Sequence, residues 1–318
     1  MNDYDLESKL IASDSYNSIY TEEQVCGLLV KQGWSATHSG YYKDFSTGKW
    51  REVDVCAHRM WKKSDESGEN KAIVQLVLQC KSIKGYHILF TPASNLGTWR
   101  WALTKLDHDW VGHRASANWR DIARNLEEMK LNREIITSAT KRFQGIAYPD
   151  GFVKPYDLMV KAQRARVVTS AFRETNIGST KDLENSVLWR ASLDIASVIE
   201  SEKEERWGRL IKDTRLASVI ETSEDIEEFV CNNFYNYLSL VRLFHPIIVL
   251  DAHMWLIKDQ KLEALQWCRF AQHNVLGDTR RWFDIVSQQY YPTYISRLTK
   301  HYENEFKKVD AEERKPRT

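Results

Sequence analysis

Several patterns that would place a protein in a particular class are missing from this 318-residue chain. It has few cysteines, and they are far apart, odd in number and free of any CxxC pair: Cys26, Cys56, Cys80, Cys231 and Cys268. This argues against a disulfide framework and against a structural zinc site, and it indicates reduced thiols in a cytoplasmic protein. No segment reaches the roughly 18 continuous apolar residues of a membrane helix, so no membrane contact is expected.

An excess of charge of one sign is also missing. The chain has 45 basic and 44 acidic residues, which excludes a globally basic protein but leaves room for a local basic groove. The patterns GxxxxGK[ST] and GxGxxG do not occur, so a built-in nucleotide motor or dinucleotide site is not expected.

What the chain does have is an alternation of helical and strand-like patterns. Thr21 and Gln24 form a capping box that predicts a first helix ending at Gly33. The apolar period then changes to two, which predicts strands near 34–38, 50–60, 72–82 and 86–90, with a polar connection at 61–71.

The middle of the chain is expected to be mainly helical. Residues 93–148 have a helical pattern, clearest at 120–143, and further helical spans are predicted from Tyr156 to Thr175 and from Leu183 onward. The span from Tyr156 to Thr175 has cations on one side, which suit either phosphate binding or a solvated face. These cations are Lys161, Arg164, Arg166 and Arg173.

The last part of the chain returns to strands. We predict a buried strand from Phe244, a turn at 251–253 and a returning strand, then strands at 262–270 and 278–287, a helix at 291–306 and a charged tail. No internal repeat or linker is found. The chain is therefore expected to be one α/β domain over 1–318, in which 241–306 complete a core begun at 20–92 and 93–240 form a mainly helical insertion.

Two charged residues lie in the most strand-like segments. Asp54 stands between two valines in "REVDVCAHR", and Lys81 ends an apolar run in "AIVQLVLQCKSI". Burying either charge alone is costly, so each needs a partner or a task. Gln79 is two residues before Lys81 and should share its face of the strand.

This order of residues resembles a known family. Glu22 on a helix, Asp54 in one strand and Gln79-x-Lys81 in the next are similar to the PD-(D/E)xK, or restriction-endonuclease-like, nuclease superfamily, in the Gln-x-Lys branch that includes Mrr-type restriction endonucleases. The resemblance covers about residues 20–92. Val53 replaces the proline of the motif, and Gln79 replaces an acid.

The resemblance implies a mixed central sheet flanked by helices and a Mg²⁺-dependent nuclease, with Mn²⁺ as a substitute. Asp54 would be the anionic metal ligand, and the side-chain oxygen of Gln79 and the backbone carbonyl of Cys80 would be neutral ligands. Glu22 would hold a bound water or a second ion, and Lys81 would orient the attacking water or stabilise charge on the phosphate.

The expected setting is restriction, phage defence or repair, with DNA favoured over RNA as the substrate. One active site per chain favours a homodimer for cutting both strands, and a defence role would suit control by a regulatory partner. The alternative is a nuclease-fold protein that binds nucleic acid or a partner protein without cutting it. A structural scaffold with no affinity for nucleic acid is a third reading.

Structural explanations of the same residues stay open. Asp54 could form an ion pair with Arg51 or Lys81. Lys81 could instead extend to water at a strand end. Glu22 is predicted in the first turn of a helix, where the helix dipole favours an acid whatever the function. The histidines show no base partner at a recognisable spacing, so a structural role is expected for His245 and His253.

Overall fold

Strands dominate the part of the chain that the structure, a computed structural model, describes. The described residues are 3–44, 47–65, 68–93, 103–110, 160–176, 179–182, 185–216, 240–274 and 279–312. The helices are α1 (Asp3–Ile11), α2 (Asp14–Lys31), α3 (Val187–Leu216) and α4 (Tyr291–Glu312). The strands are β1 (Ser35–Lys43), β2 (Trp50–Asp65), β3 (Gly68–Pro92), β4 (Asp107–Trp110), β5 (Val168–Asn176), β6 (Ser179–Thr180), β7 (Leu240–Lys258), β8 (Lys261–Ala264), β9 (Trp267–Asn274) and β10 (Thr279–Ser287).

The described strands form one mixed sheet. β1, β2 and β3 pair antiparallel, whereas β3 and β10 each pair parallel with β7. β5 bridges β3 and β9, so the strands β3, β5, β9, β10 and β7 form a closed circuit of pairings. The predicted α/β class with a large mixed sheet and flanking helices is confirmed at this level.

Helix α2 begins earlier than predicted. Ser13 is its N-cap, and the Ser13 hydroxyl accepts a hydrogen bond from the backbone N–H of Tyr16. The predicted capping box at Thr21 is therefore wrong, and Glu22 lies in the middle of the helix rather than in its first turn. The predicted end is correct, because α2 stops at Lys31 and Gly33 follows in the left-handed region, with φ of +81°.

The strands β2 and β3 are longer than predicted. The expected polar connection at 61–71 is mostly strand, because the two strands pair up to Asp65 and Gly68. The two segments expected at 72–82 and 86–90 are one strand, and its pairing with β7 shifts register between Ser82 and His87. Gly85, with φ of +73°, lies at that irregularity, where a residue without a Cβ is favoured.

Strand β7 is also continuous where a break was predicted. No turn occurs at 251–253, because these residues lie within the strand. Asp251 and His253 are exposed, and the flanking residues Leu250 and Met254 are buried. Alternation between an exposed and a buried face accounts for the polar residues. The predicted strand at 278–287 and the helix at 291–306 are confirmed as β10 and α4.

The helical span predicted from Tyr156 to Thr175 is wrong over its described residues. These residues end in β5, which pairs with β3 over several positions and with β9 at Val168 and Thr169. The four cations of that span therefore share no helix face, although all four are exposed: Lys161, Arg164, Arg166 and Arg173. The span 93–240 also contributes β4 and β5 to the sheet, so it is not purely a helical insertion; the helix predicted at 120–143 lies outside the described residues.

Two apolar layers hold the helices to the sheet. On one side, α2 and α4 pack on the β3 side chains Leu76, Leu78 and Cys80. On the other side, α3 packs on Val53 and Val77. Burial of each large apolar side chain contributes about 1.5–3 kcal/mol, so these layers fix the helices relative to the strands.

The four described helices also bear on membrane contact. Within the described ranges, every helix is too short or too polar to cross a bilayer.

Candidate active site

Asp54 lies where β2 and β3 stop pairing. The ladder between the two strands has Val55 and Leu78 as its last pair, and Asp54 is the residue of β2 just beyond it. The Asp54 carboxylate then replaces the missing backbone acceptor, because its Oδ2 accepts a hydrogen bond of 2.7 Å from the backbone N–H of Cys80. A buried carboxylate is thus held by the main chain of the neighbouring strand.

Lys81 completes this arrangement. Its ammonium Nζ donates to the same oxygen, Asp54 Oδ2, at 2.8 Å, and 27% of the Lys81 side chain remains exposed. The structural alternative in which Lys81 pairs with Asp54 is therefore realised, and Arg51 does not take that place. A buried ion pair that keeps a path to solvent is also a suitable arrangement for a catalytic lysine.

Gln79 lies beside this pair and is 1% exposed. Alternation along β3 directs Gln79 and Lys81 to the side of Val77 and α3, and Leu78 and Cys80 to the side of α2. The structure thus brings Asp54, Gln79 and Lys81 to one place on the sheet.

Glu22 is held elsewhere. Its Oε1 accepts from the hydroxyl of Ser18 at 3.0 Å, and its Oε2 lies 2.9 Å from Nε2 of His38 on β1. Helix α2 packs on the opposite face from Gln79, and the hydrogen-bond partners of Glu22 are Ser18 and His38 rather than Lys81. Burial raises the pKa of the Cys80 thiol well above its ordinary value, and the negative charges of Asp54 and Glu22 raise it further, against the opposing effect of Lys81.

The candidate site has few side chains that could bind a divalent cation. Among the described residues there is no group of three or more His, Cys, Asp or Glu side chains that could hold a metal. Mg²⁺ does not need one, because it commonly takes one or two carboxylates and keeps several waters. Asp54, with Oδ2 committed to Cys80 and Lys81, keeps Oδ1 as a carboxylate oxygen, and Gln79 carries an amide oxygen; both are oxygen donors of the kind that Mg²⁺ takes, whereas the Glu22 carboxylate is engaged by Ser18 and His38.

A second acid near this pair was missed by the sequence reasoning. Asp194 on α3 lies 3.9 Å from Arg51, measured from Oδ1 to Nη1. Burial raises the pKa of Asp194, and the positive charge of Lys81 is the largest effect that opposes this rise. No local signal marks Asp194, because it follows Lys81 by more than a hundred residues and only packing of α3 on the sheet brings the two together.

A second polar cluster is entirely buried. Asp284 on β10 accepts hydrogen bonds from Nε and Nη2 on one edge of the Arg269 guanidinium, each at 2.7 Å, and from the hydroxyl of Tyr294 at 2.7 Å. Nε2 of His245 lies 2.9 Å from the same carboxylate. The other ring nitrogen of His245, Nδ1, is hydrogen-bonded with the Tyr302 hydroxyl. The structural role expected for His245 agrees with this arrangement, which joins β7, β9, β10 and α4.

The buried histidine should make stability depend on pH. Burial lowers the pKa of His245, and Arg269 and His301 lower it further, against the opposing effect of Asp284. The unfolded chain therefore binds this proton more readily, so the free energy of unfolding should fall as the pH drops below about 6.5, by up to about 1.4 kcal/mol per pH unit. Asp284, whose pKa is lowered by Arg269 and His245 against the cost of burial, acts in the same direction only below about pH 4.

Urea unfolding at a series of pH values would measure this effect. In His245→Gln the decline between pH 7 and pH 5 should become shallower, whatever the absolute stability of the variant. His253→Gln changes an exposed histidine on the same strand and is the matched control. Equal slopes in the natural chain and His245→Gln would contradict the prediction.

Known proteins give no further guidance. Comparison of the chain with models of protein families, with curated proteins and with solved structures found no match. Function therefore has to be inferred from the residues and their geometry.

Proposed function

We propose that this protein is a Mg²⁺-dependent nuclease with a restriction-endonuclease-like core, which hydrolyses phosphodiester bonds in DNA rather than RNA. The observation that carries the proposal is the position of Asp54, whose Oδ2 accepts from Lys81 at 2.8 Å and from the Cys80 main chain at the point where two strands separate. An apolar pair would be cheaper to bury at that point, so the charges need a reason to be there.

Each residue has a defined task in the proposed reaction. The main-chain bond from Cys80 fixes the Asp54 carboxylate, so that Oδ1 is presented in a constant direction. Gln79 offers an oxygen on the same side without adding charge. The Lys81 ammonium can orient the attacking water, or donate hydrogen bonds to the phosphate oxygens on which negative charge develops.

The metal would have two roles in this scheme. When bound by Asp54, with the Gln79 amide and the Cys80 carbonyl as neutral ligands, Mg²⁺ would lower the pKa of a bound water and neutralise charge on the phosphate. Mn²⁺ prefers similar oxygen ligands and is expected to substitute. A homodimer and a regulatory partner are part of the proposal for a defence enzyme.

A second candidate is favoured by the position of Glu22. Its carboxylate is engaged by Ser18 and His38 and not by Lys81 or a shared metal position. A nuclease-fold protein that binds nucleic acid or a partner protein without cutting would need no more than this. The two candidates differ in whether Asp54 and Lys81 matter for anything beyond stability.

Cleavage assays would decide between them. We expect the natural chain to cut plasmid or single-stranded DNA with Mg²⁺ or Mn²⁺, and Asp54→Asn and Lys81→Met each to lower the rate about 100-fold or more, as is usual when one preorganised charge is removed from an active site. Thermal unfolding of each variant would show that the fold is retained.

Lys203→Met is the matched control. Lys203, on α3, forms an ion pair of the same length, 2.8 Å, with Asp107 on β4. Loss of this ion pair should leave cleavage unchanged. If the natural chain cuts no nucleic acid with either metal, yet binds DNA equally well with and without Asp54 and Lys81, the binding protein is the correct reading.

A further inference from the structure

Arg51 is a cation beside the candidate site that has no part in the Asp54–Lys81 pair. It lies on β2 three residues before Asp54 and shares the α3 side of the strand with Val53. Its side chain is 44% exposed, more than that of Lys81. Arg51 is thus the more accessible of two cations on the same side of the sheet.

One edge of Arg51 is firmly held. Its Nε lies 2.6 Å from Oδ2 of Asp44, whose side chain is only 5% exposed. The other Asp44 oxygen accepts from the backbone N–H of Thr47, and the Asp44 main chain bonds Gly48 and Lys49 in the same turn. Asp44 therefore fixes the direction of the guanidinium.

The opposite edge of Arg51 is held only loosely. Its Nη1 is 3.9 Å from Oδ1 of Asp194, which is too long for a hydrogen bond. The ion pair does not compensate for the partial burial of Asp194, because burial still raises the pKa of that carboxyl. A phosphate oxygen, which can accept two N–H groups of one guanidinium, would be a better partner for this edge.

Asp194 also connects Arg51 to the candidate site. Burial raises the pKa of its carboxyl, and the positive charges of Lys81 and Arg51 both oppose this rise. Because Arg51 and Lys81 lie on the α3 side of neighbouring strands, a nucleic-acid strand that placed one phosphate at Lys81 would bring a neighbouring phosphate toward Arg51.

We propose that Arg51 binds a backbone phosphate adjacent to the bond cut at Asp54 and Lys81, and that this phosphate displaces Asp194 as the partner of its free edge. The inference rests on the proposed function and assigns it a substrate-binding residue. Asp44 positions Arg51, and Asp194 is the counter-ion that it exchanges.

Binding can be tested without cleavage. In an Asp54→Asn background, binding of a fluorescent single-stranded or duplex DNA of about 20 nucleotides would be titrated over a range of salt concentrations. Adding Arg51→Met should weaken binding about tenfold and reduce the slope of log affinity against log salt by nearly one, as expected for loss of one phosphate contact. Arg51→Lys should restore part of the affinity.

Asp194→Asn gives a prediction of the opposite sign. If the carboxylate competes with phosphate for Arg51, its neutralisation should tighten DNA binding several-fold in the presence of Arg51 and much less in an Arg51→Met background, whereas a general loss of negative charge would act equally in both. Arg59→Met is the matched control for Arg51→Met. Arg59 lies on the same strand, β2, but forms an ion pair of 3.0 Å with Glu303 on α4. In cleavage, Arg51→Met should raise KM more than it lowers kcat.

The outcomes separate this inference from the proposed function. Unchanged affinity and salt slope in Arg51→Met overturn it, even if the natural chain cuts DNA. Arg51-dependent DNA binding by a chain that cuts nothing overturns the nuclease proposal and supports the phosphate contact. An Asp54→Asn protein that binds no DNA at all overturns the inference as well.

Discussion

Replacing Asp284 by asparagine should lower the free energy of unfolding by about 3–5 kcal/mol, the usual cost of removing one partner from a buried ion pair. The variant keeps the size of the side chain, so the loss would come from charge and hydrogen bonding. Arg269, which is 1% exposed, would then carry an uncompensated charge, and the amide group would face N–H donors with only one acceptor oxygen. Urea unfolding at pH 7 would measure the change.

The large expected effect follows from how completely Asp284 is used. Its two oxygens receive Arg269, His245 and Tyr294, and no part of the carboxylate is exposed. Arg269 also lies over the ring of Trp282 at 3.8 Å and donates to the main-chain oxygen of Leu103. Asp284 thus neutralises the charge around which β9, β10 and α4 are packed.

Asp107→Asn is the matched control for burial. Its ion pair with Lys203 has a comparable length, but the Asp107 side chain is 45% exposed, so its loss should cost no more than about 1 kcal/mol. In a double-mutant cycle, Arg269→Met combined with Asp284→Asn should cost clearly less than the sum of the two single changes. Additive costs, or a loss below about 1 kcal/mol for Asp284→Asn, would show that the pair is not the source of stability.

None of this cluster could be predicted from local sequence. The four residues that meet there lie on four different elements: His245, Arg269, Asp284 and Tyr294. In the sequence, the apolar residues near each of them predict a strand or a helix but do not indicate a polar partner. What brings the four together is the parallel pairing of β7 with β10 and the packing of α4 across them. Pairing partners so distant in sequence leave no periodic signal.

The candidate site was easier to approach from sequence. Asp54 and Lys81 lie in two strongly apolar strands that are close in the chain. Antiparallel pairing through a short connection is the simplest arrangement of two such strands. The side shared by Gln79 and Lys81 followed from the period of two. Asp194 and Arg51 could not be associated with them, because that requires knowing which face α3 covers.

The errors in secondary structure have physical causes. The expected start of α2 was too late because Thr21 and Gln24 match the capping-box pattern although they lie inside the helix, whereas the true N-cap is Ser13. Strand β5 was read as helix because its partners, β3 and β9, are distant and override local preference. Glu174 added to the error, since a buried acid in a strand is not expected without knowledge of what it binds.

Glu174 is the source of the second large effect. Replacing it by alanine should lower the free energy of unfolding by about 3 kcal/mol, because the buried carboxylate makes two charge-assisted hydrogen bonds worth about 1.5–3 kcal/mol each. Its Oε1 accepts from the Ser186 hydroxyl and from the backbone N–H of Leu188, both at 2.7 Å. The Leu188 N–H belongs to the first turn of α3, where no partner within the helix exists.

The same substitution should act locally on α3. A carboxylate at a helix N-terminus also compensates the helix dipole, so its removal should speed amide hydrogen exchange at residues 187–192 more than in α4. Glu174→Gln keeps one acceptor oxygen and should lose only part of the stability. Glu263→Ala removes an exposed acid on β8 and should have almost no effect.

Uniform acceleration of exchange in α3 and α4 would contradict a local cap and indicate that Glu174 acts only on global stability. A local effect would have a consequence for the candidate site. Asp194 follows Leu188 by six residues, about 9 Å along the helix axis, so a loosened first turn would also weaken the control of Asp194 over the free edge of Arg51. The cap on α3 and the phosphate contact proposed for Arg51 would then be coupled through one helix, and DNA affinity in Glu174→Ala should move in the same direction as in Asp194→Asn.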